Sequence, residues 1–128
     1  MKKVIIILMA FFLFNACKKD KTDELSIKGK WDLINLVANT YENNILTDTE
    51  TESGSGTTYN FQGNGIVIVA DVDNGTESFP YSIESDSQIR MDGQLIDIKN
   101  LTSNTVTLSF RDVFSPTIYT EVIVNLQR

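Results

Sequence analysis

The sequence predicts an all-β protein: a small antiparallel up-and-down β-barrel of about eight strands, preceded by a secretory signal peptide. Three observations predict the barrel. Apolar and polar residues alternate in short runs, which is typical of strands with one buried face. Turn-forming residues separate these runs at short intervals. After residue 28, no stretch has the length and period of a crossover helix, so parallel βαβ units are excluded.

Residues 1–16 have the layout of a signal peptide. Lys2 and Lys3 precede an unbroken apolar run from Val4 to Phe14, and the small residue Ala16 stands before Cys17. The run is far shorter than the roughly 20 residues that span a bilayer as a helix. We therefore expect residues 1–16 to be removed.

The four residues Phe14-Asn15-Ala16-Cys17 resemble the lipobox of bacterial lipoproteins. This resemblance implies that fatty acids such as palmitate are attached through Cys17, which becomes the new N-terminus. It implies a lipid-anchored protein of the bacterial cell envelope, and Lys18 after the cysteine resembles lipoproteins sorted to the outer membrane. Residues 17–28 are then a tether. An ordinary secreted protein with a spare thiol is the alternative, although the single cysteine falls directly after the apolar run.

Composition excludes several classes of function. From Cys17 onward, 112 residues suffice for one domain, and no second thiol exists for a disulfide. Nine Lys and Arg stand against seventeen Asp and Glu in this part, a formal charge of −8. That balance argues against nucleic acid as a partner and against docking on anionic lipid through a basic patch. Histidine is absent, which excludes Ser-His-Asp catalysis and His-based zinc sites.

The β pattern begins at Gly29, so residues 29–128 are predicted to form the barrel domain. We expect hairpin turns at four places: Gly63-Asn64-Gly65, Asp73-Asn74-Gly75, Asp92-Gly93 and Ser103-Asn104. Two longer connections, Thr47–Gly56 and Arg111–Thr117, are expected to be loops, the first flexible because it is polar, acidic and glycine-bearing. A two-sheet sandwich of the same strands is the structural alternative.

Several motifs of the domain resemble lipocalin-like domains of Bacteroidetes-type lipoproteins. Gly29-Lys30-Trp31 is similar to the Gly-x-Trp opening of lipocalins, and Thr58-Tyr59-Asn60-Phe61 with Gly63-Asn64-Gly65 to their second hairpin. The resemblance implies that Trp31 closes one end of the barrel with Arg128 packed across it. It also implies a cup for one small ligand. Bulky residues at candidate inward positions would line or fill this cup: Tyr59, Phe61, Phe79, Tyr81, Met91 and Phe110.

Catalytic and metal chemistry find little support. Three carboxylate pairs, Glu50/Glu52, Asp71/Asp73 and Glu84/Asp86, have a spacing that a glycosidase could use, but they lie in a predicted loop or near turns. The segment 71–75 hints at calcium, yet its glycine is misplaced for an EF-hand loop. We therefore predict no enzyme, no catalytic residue, no metal and no cofactor.

The resulting hypothesis is a membrane-anchored, non-enzymatic module that binds a small hydrophobic or amphipathic ligand. The alternative is an envelope or cell-surface module with a filled barrel, which binds a glycan or a protein through its open end and the Thr47–Gly56 loop.

Overall fold

A computed structural model describes residues 26–128, which form nine β-strands and no helix. The predicted signal peptide, Cys17 and most of the predicted tether lie outside the described residues. The strands are β1 (Gly29–Glu42), β2 (Ile45–Ser53), β3 (Thr58–Phe61), β4 (Ile66–Asp71), β5 (Gly75–Ser85), β6 (Gln88–Met91), β7 (Gln94–Lys99), β8 (Thr105–Val113) and β9 (Ile118–Gln127). Within residues 26–128, no helix is long and apolar enough to cross a membrane.

The sheet closes on itself as an antiparallel barrel. Strands β3 to β9 pair in chain order, β1 pairs with β3, and β1 also pairs with β9 from Asp32↔Gln127 to Glu42↔Ile118. These eight strands form the ring, and β2 is an extra strand on the same edge of β1 as β3. The predicted all-β, up-and-down barrel is confirmed, and the sandwich alternative is wrong.

Turn chemistry explains the order of the strands. Asp92 (φ 49°) and Gly93 (φ 82°) make a two-residue hairpin, because both positions need left-handed backbone. Hairpin turns also lie at the other three predicted places. The sequence analysis missed the turn at Asn43 (φ 51°) and Asn44 (φ 62°), although Asn is among the residues that tolerate this conformation.

The prediction that Thr47–Gly56 is a flexible loop is wrong. Residues 45–53 form β2, which runs antiparallel to β1 from Glu42↔Ile45 to Asn35↔Ser53. The Asn43-Asn44 turn folds this polar segment back onto β1, where the free backbone groups of β1 supply partners. All nine residues of β2 are exposed, so its pattern of side chains carried no sign of a buried face.

The second predicted loop is shorter than expected. Arg111, Asp112 and Val113 belong to β8 and pair with β9, which leaves residues 114–117 as the connection.

The junction between β2 and β3 depends on a glycine. Gly54 lies there against the backbone of β1, and its amide donates to the Ile34 carbonyl at 2.9 Å. A Cβ at position 54 would lie only 1.7 Å from the Leu33 carbonyl oxygen, so only glycine fits this junction.

The buried core fills the barrel between its two ends. Buried apolar side chains come from every strand except β2, and Trp31, Val67, Ile89 and Leu126 are fully enclosed. Ile27 is also buried in this core, at 2% exposure. The packed domain therefore begins before Gly29, inside the segment that the sequence analysis assigned to the tether.

Candidate functional site

One end of the barrel is closed by Trp31 and Arg128. Trp31 is completely buried, and its Nε1 donates to the Ile27 carbonyl at 2.7 Å. The Arg128 guanidinium lies over the indole ring, 3.9 Å from the centroid. It also donates to the carbonyls of Ser103 (2.9 Å), Lys28 (2.8 Å) and Ser26 (3.3 Å). The tryptophan is thus a plug that closes this end of the barrel.

An apolar cavity of about 180 Å³ lies inside the barrel, away from this plug. Its lining residues come from six strands: Leu36, Tyr59, Met91, Ile96, Leu108, Phe110, Val122 and Val124. Ile96, Leu108 and Val124 are buried, whereas the other five are only partly buried. Because these five side chains are partly exposed, the cavity opens to solvent on the side away from Trp31, which is called the open end of the barrel below.

The structure separates the six candidate ligand-binding residues into two groups. Tyr59, Met91 and Phe110 line the cavity. Phe61 and Tyr81 do not line it: they are buried and meet edge to face with centroids 5.2 Å apart, and the Tyr81 hydroxyl donates to the Gln62 carbonyl. Phe79 packs against the buried core and is also absent from the lining.

The sequence analysis missed five of the eight lining residues: Leu36 of β1, Ile96 of β7, Leu108 of β8, and Val122 and Val124 of β9. The residues of β1, β8 and β9 form one continuous patch, because these strands are neighbours and Leu36↔Val124↔Leu108 pair directly across them. A signal was available in the alternation of β9, but closure of β1 on β9 is a long-range pairing that periodicity does not specify.

Tyr59 supplies the polar group of the cavity wall. Burial raises the pKa of its hydroxyl, and the negative charge of Asp71 raises it further. The pKa of Asp71 itself is lowered, first because the Asp73 amide donates to its carboxylate (2.9 Å) and then because the Asn74 side chain does (3.2 Å). At neutral pH the cavity therefore has a neutral phenol in its wall and a carboxylate close to that phenol.

A second depression, of about 430 Å³, lies on the outer side of β7 and β8. Its lining carries charges of both signs, from Asp97, Lys99, Arg111 and Glu121, and Lys99 and Glu121 approach to 4.0 Å. The Arg111 guanidinium lies over the Tyr119 ring, 4.6 Å from its centroid. These mutually compensated, exposed groups make a poor binding site compared with the apolar interior.

Residues 26–128 contain no cluster of metal-ligating side chains. Across residues 26–128, no three or more Cys, Asp or Glu side chains are grouped so that they could hold a metal ion. The segment 71–75, which hinted at calcium, is a hairpin turn in which the Asp71 oxygens accept hydrogen bonds from Asp73 and Asn74.

The comparisons with known proteins add no family to these observations. The chain matches no model of a protein family, and it matches no curated protein. The site is therefore defined by its geometry alone: a plugged end, an apolar cavity of about 180 Å³, and an open end above the cavity.

Proposed function

We propose that this protein is a non-enzymatic, lipocalin-like binding protein, anchored by lipid at Cys17, which holds the apolar part of a small ligand inside its barrel. The observation that carries the proposal is the apolar cavity of about 180 Å³ beside the packed core. Core residues normally pack at crystal-like density, so a space of this size among aliphatic and aromatic side chains is suited to an apolar group.

The size of the cavity limits what it encloses. An apolar cavity of about 150 Å³ holds one benzene, whereas sites for whole drug-sized ligands span about 300–1,000 Å³. The barrel therefore encloses a group about as large as a phenyl ring or a short alkyl chain. The remainder of a larger ligand would lie at the open end.

The same cavity favours ligand binding over the alternative of a filled barrel that binds a glycan or a protein. It also supports a binding role rather than catalysis, because apolar side chains and the neutral phenol of Tyr59 surround it. None of the eight lining residues is a carboxylate, a lysine or a cysteine that could serve as a base or nucleophile.

Binding is tested with a label inside the cavity. Met91 lines it, so the full chain in phosphatidylcholine nanodiscs is labelled with ¹³C-methyl methionine, and Met91→Leu identifies the Met91 signal. We expect 4-phenylbutanol, a neutral probe, to shift this signal saturably. Val122→Phe, which fills the cavity, should abolish the shift, and Ile123→Phe, on the outer face of the same strand, should not. No shift with the parent chain would refute the proposal.

The natural ligand is sought by native mass spectrometry of the protein purified from its own host. A bound small molecule that is lost in Val122→Phe and retained in Ile123→Phe would identify it. The mass of the intact protein tests the anchor in the same experiment. We expect acyl chains on an N-terminal Cys17, and Cys17→Ser should move the protein from the membrane to the soluble fraction, because two or more chains hold a lipoprotein firmly. An unmodified N-terminus at another residue would refute the anchor.

A further inference from the structure

The interior face of the sheet continues past the cavity, and carboxylates occupy this continuation. Residues paired directly across neighbouring strands share a face. Leu36, which lines the cavity, pairs with Glu52 of β2, and Ala38 pairs with Glu50. One row further from the plug, Asp112, Thr120, Thr40 and Asp48 lie side by side on β8, β9, β1 and β2. The wall above the cavity is thus lined by exposed acids.

The opposite wall repeats this arrangement. Tyr59 pairs with Val69, which pairs with Glu77, so Glu77 shares the interior face with a cavity residue. Asp71 lies two residues after Val69 on the same face, and its charge acts on the Tyr59 hydroxyl. Glu42, two residues beyond Thr40 on β1, shares this face as well. Seven carboxylates therefore lie on the interior face at the open end: Glu42, Asp48, Glu50, Glu52, Asp71, Glu77 and Asp112.

No cation of residues 26–128 shares this interior face at the open end. The six Lys and Arg of this part are Lys28, Lys30, Arg90, Lys99, Arg111 and Arg128. Lys28 and Arg128 belong to the closed end, where the Arg128 guanidinium donates to the Lys28 backbone carbonyl. The other four alternate with inward-facing neighbours such as Trp31, Ile89, Ile98 and Phe110, so their side chains point to the outer face.

We infer that the barrel selects cationic amphiphiles: its ligand has a small apolar group, enclosed in the cavity, and an ammonium or other cationic head held at the ring of carboxylates. This inference rests on the proposed function and adds the ligand's chemical class to it. The cavity encloses only a phenyl-sized group, so the head of the ligand lies at the open end. An anionic head there would meet carboxylates with no cation of residues 26–128 on the same face, whereas an ammonium would be attracted by their summed negative charge.

Three probes with one apolar body separate the head group from the cavity. These are 4-phenylbutylamine, 4-phenylbutanol and 4-phenylbutyrate, titrated against the Met91 methyl signal of the full chain in phosphatidylcholine nanodiscs. We expect the amine to bind about tenfold more tightly than the carboxylate at low salt, with the alcohol between them. The preference should nearly vanish at 1 M salt, where the screening length falls to about 3 Å.

Matched variants locate the effect. Asp48→Asn with Glu50→Gln and Glu52→Gln removes three charges from the interior face, and we expect it to lose most of the amine preference while binding the alcohol as before. Asp32→Asn with Asp86→Asn and Asp97→Asn removes three charges from the outer face and the opposite end, and should keep the preference. Equal urea midpoints of the two variants show that both are folded.

The outcomes distinguish the two proposals. If the alcohol binds and the amine binds no better than the carboxylate, the cationic class is wrong and the apolar binding function stands. An amine preference that both triple variants lose equally would assign it to the net charge of the protein and would also overturn the inference. If none of the three probes binds, the binding function fails, and the inference fails with it.

Discussion

The two ends of the barrel differ in packing and in charge. At the closed end, Trp31 is fully buried, its indole N–H is bonded to Ile27, and Arg128 places a cation over its ring while it bonds to three carbonyls. At the open end, five of the eight cavity residues are only partly buried, and carboxylates share a face on which no cation of residues 26–128 lies. We therefore expect stability to be concentrated at the closed end, whereas the open end carries a cavity and an excess of negative charge.

The largest expected effect tests whether the closed end contributes more to the free energy of unfolding than the open end. Trp31→Ala should lower the free energy of unfolding by about 3–5 kcal/mol, because it opens a cavity in the packed end and leaves the Ile27 carbonyl without its donor. Phe110→Ala, at the open end, should cost roughly half as much because Phe110 already borders empty space. Urea unfolding of both variants measures the difference, and equal losses would contradict this expectation.

The next effect concerns the junction between the extra strand and the ring. Gly54→Ala should lower the free energy of unfolding by about 1–3 kcal/mol, because the new methyl group must displace the Leu33 carbonyl. Gly63→Ala is the matched control, since a Cβ there meets nothing within 4 Å. Hydrogen exchange should show faster amide exchange in β1 and β2 of the first variant only. Unchanged exchange in Gly54→Ala would show that the close approach does not hold β2 in place.

A smaller effect is expected for the cation of the closed end. Arg128→Ala should cost about 1–2 kcal/mol, because it removes the cation–π contact and the donors to Ser103, Lys28 and Ser26. Arg90→Ala removes an exposed ion pair with Glu84 (3.2 Å) and should cost about 1 kcal/mol or less. Thermal unfolding of the two variants checks the order. A larger loss for Arg90→Ala would show that the Arg128 contacts do not stabilise the plug.

The smallest effect appears at alkaline pH. Burial, and then the charge of Asp71, raise the pKa of Tyr59 above its ordinary value of 10.0, so ionisation opposes folding. The stability linked to this group is complete below pH 10.0 and is lost as the pH rises through the folded-state pKa. Above pH 10.0, the free energy of unfolding of Tyr59→Phe should therefore fall less than that of the parent chain. The fall that remains in the variant is expected from Tyr81, because burial also raises the pKa of that hydroxyl. Identical pH profiles of the free energy of unfolding would contradict this assignment.

Local sequence patterns predicted much of this architecture because the period of two and the turn residues act over few residues. Asp92-Gly93 is an example: two positions that accept left-handed backbone determine a hairpin without help from the rest of the chain. The expected flexible loop at Thr47–Gly56 failed for the complementary reason. β2 has no buried face, and what orders it is hydrogen bonding to β1, whose edge is available only after the Asn43-Asn44 turn.

Local patterns in the sequence were enough to predict an antiparallel β meander with a strong excess of carboxylates, because alternation and turn chemistry act over few residues and net charge follows from composition. The folded barrel was needed to show where the meander closes, which aromatic residues fill the core and which border the cavity. It was also needed to show that carboxylates from β1, β2, β4, β5 and β8 share one face. Closure of β1 on β9 joins residues that are far apart in the chain, and long-range contacts of this kind are set by packing of the whole barrel.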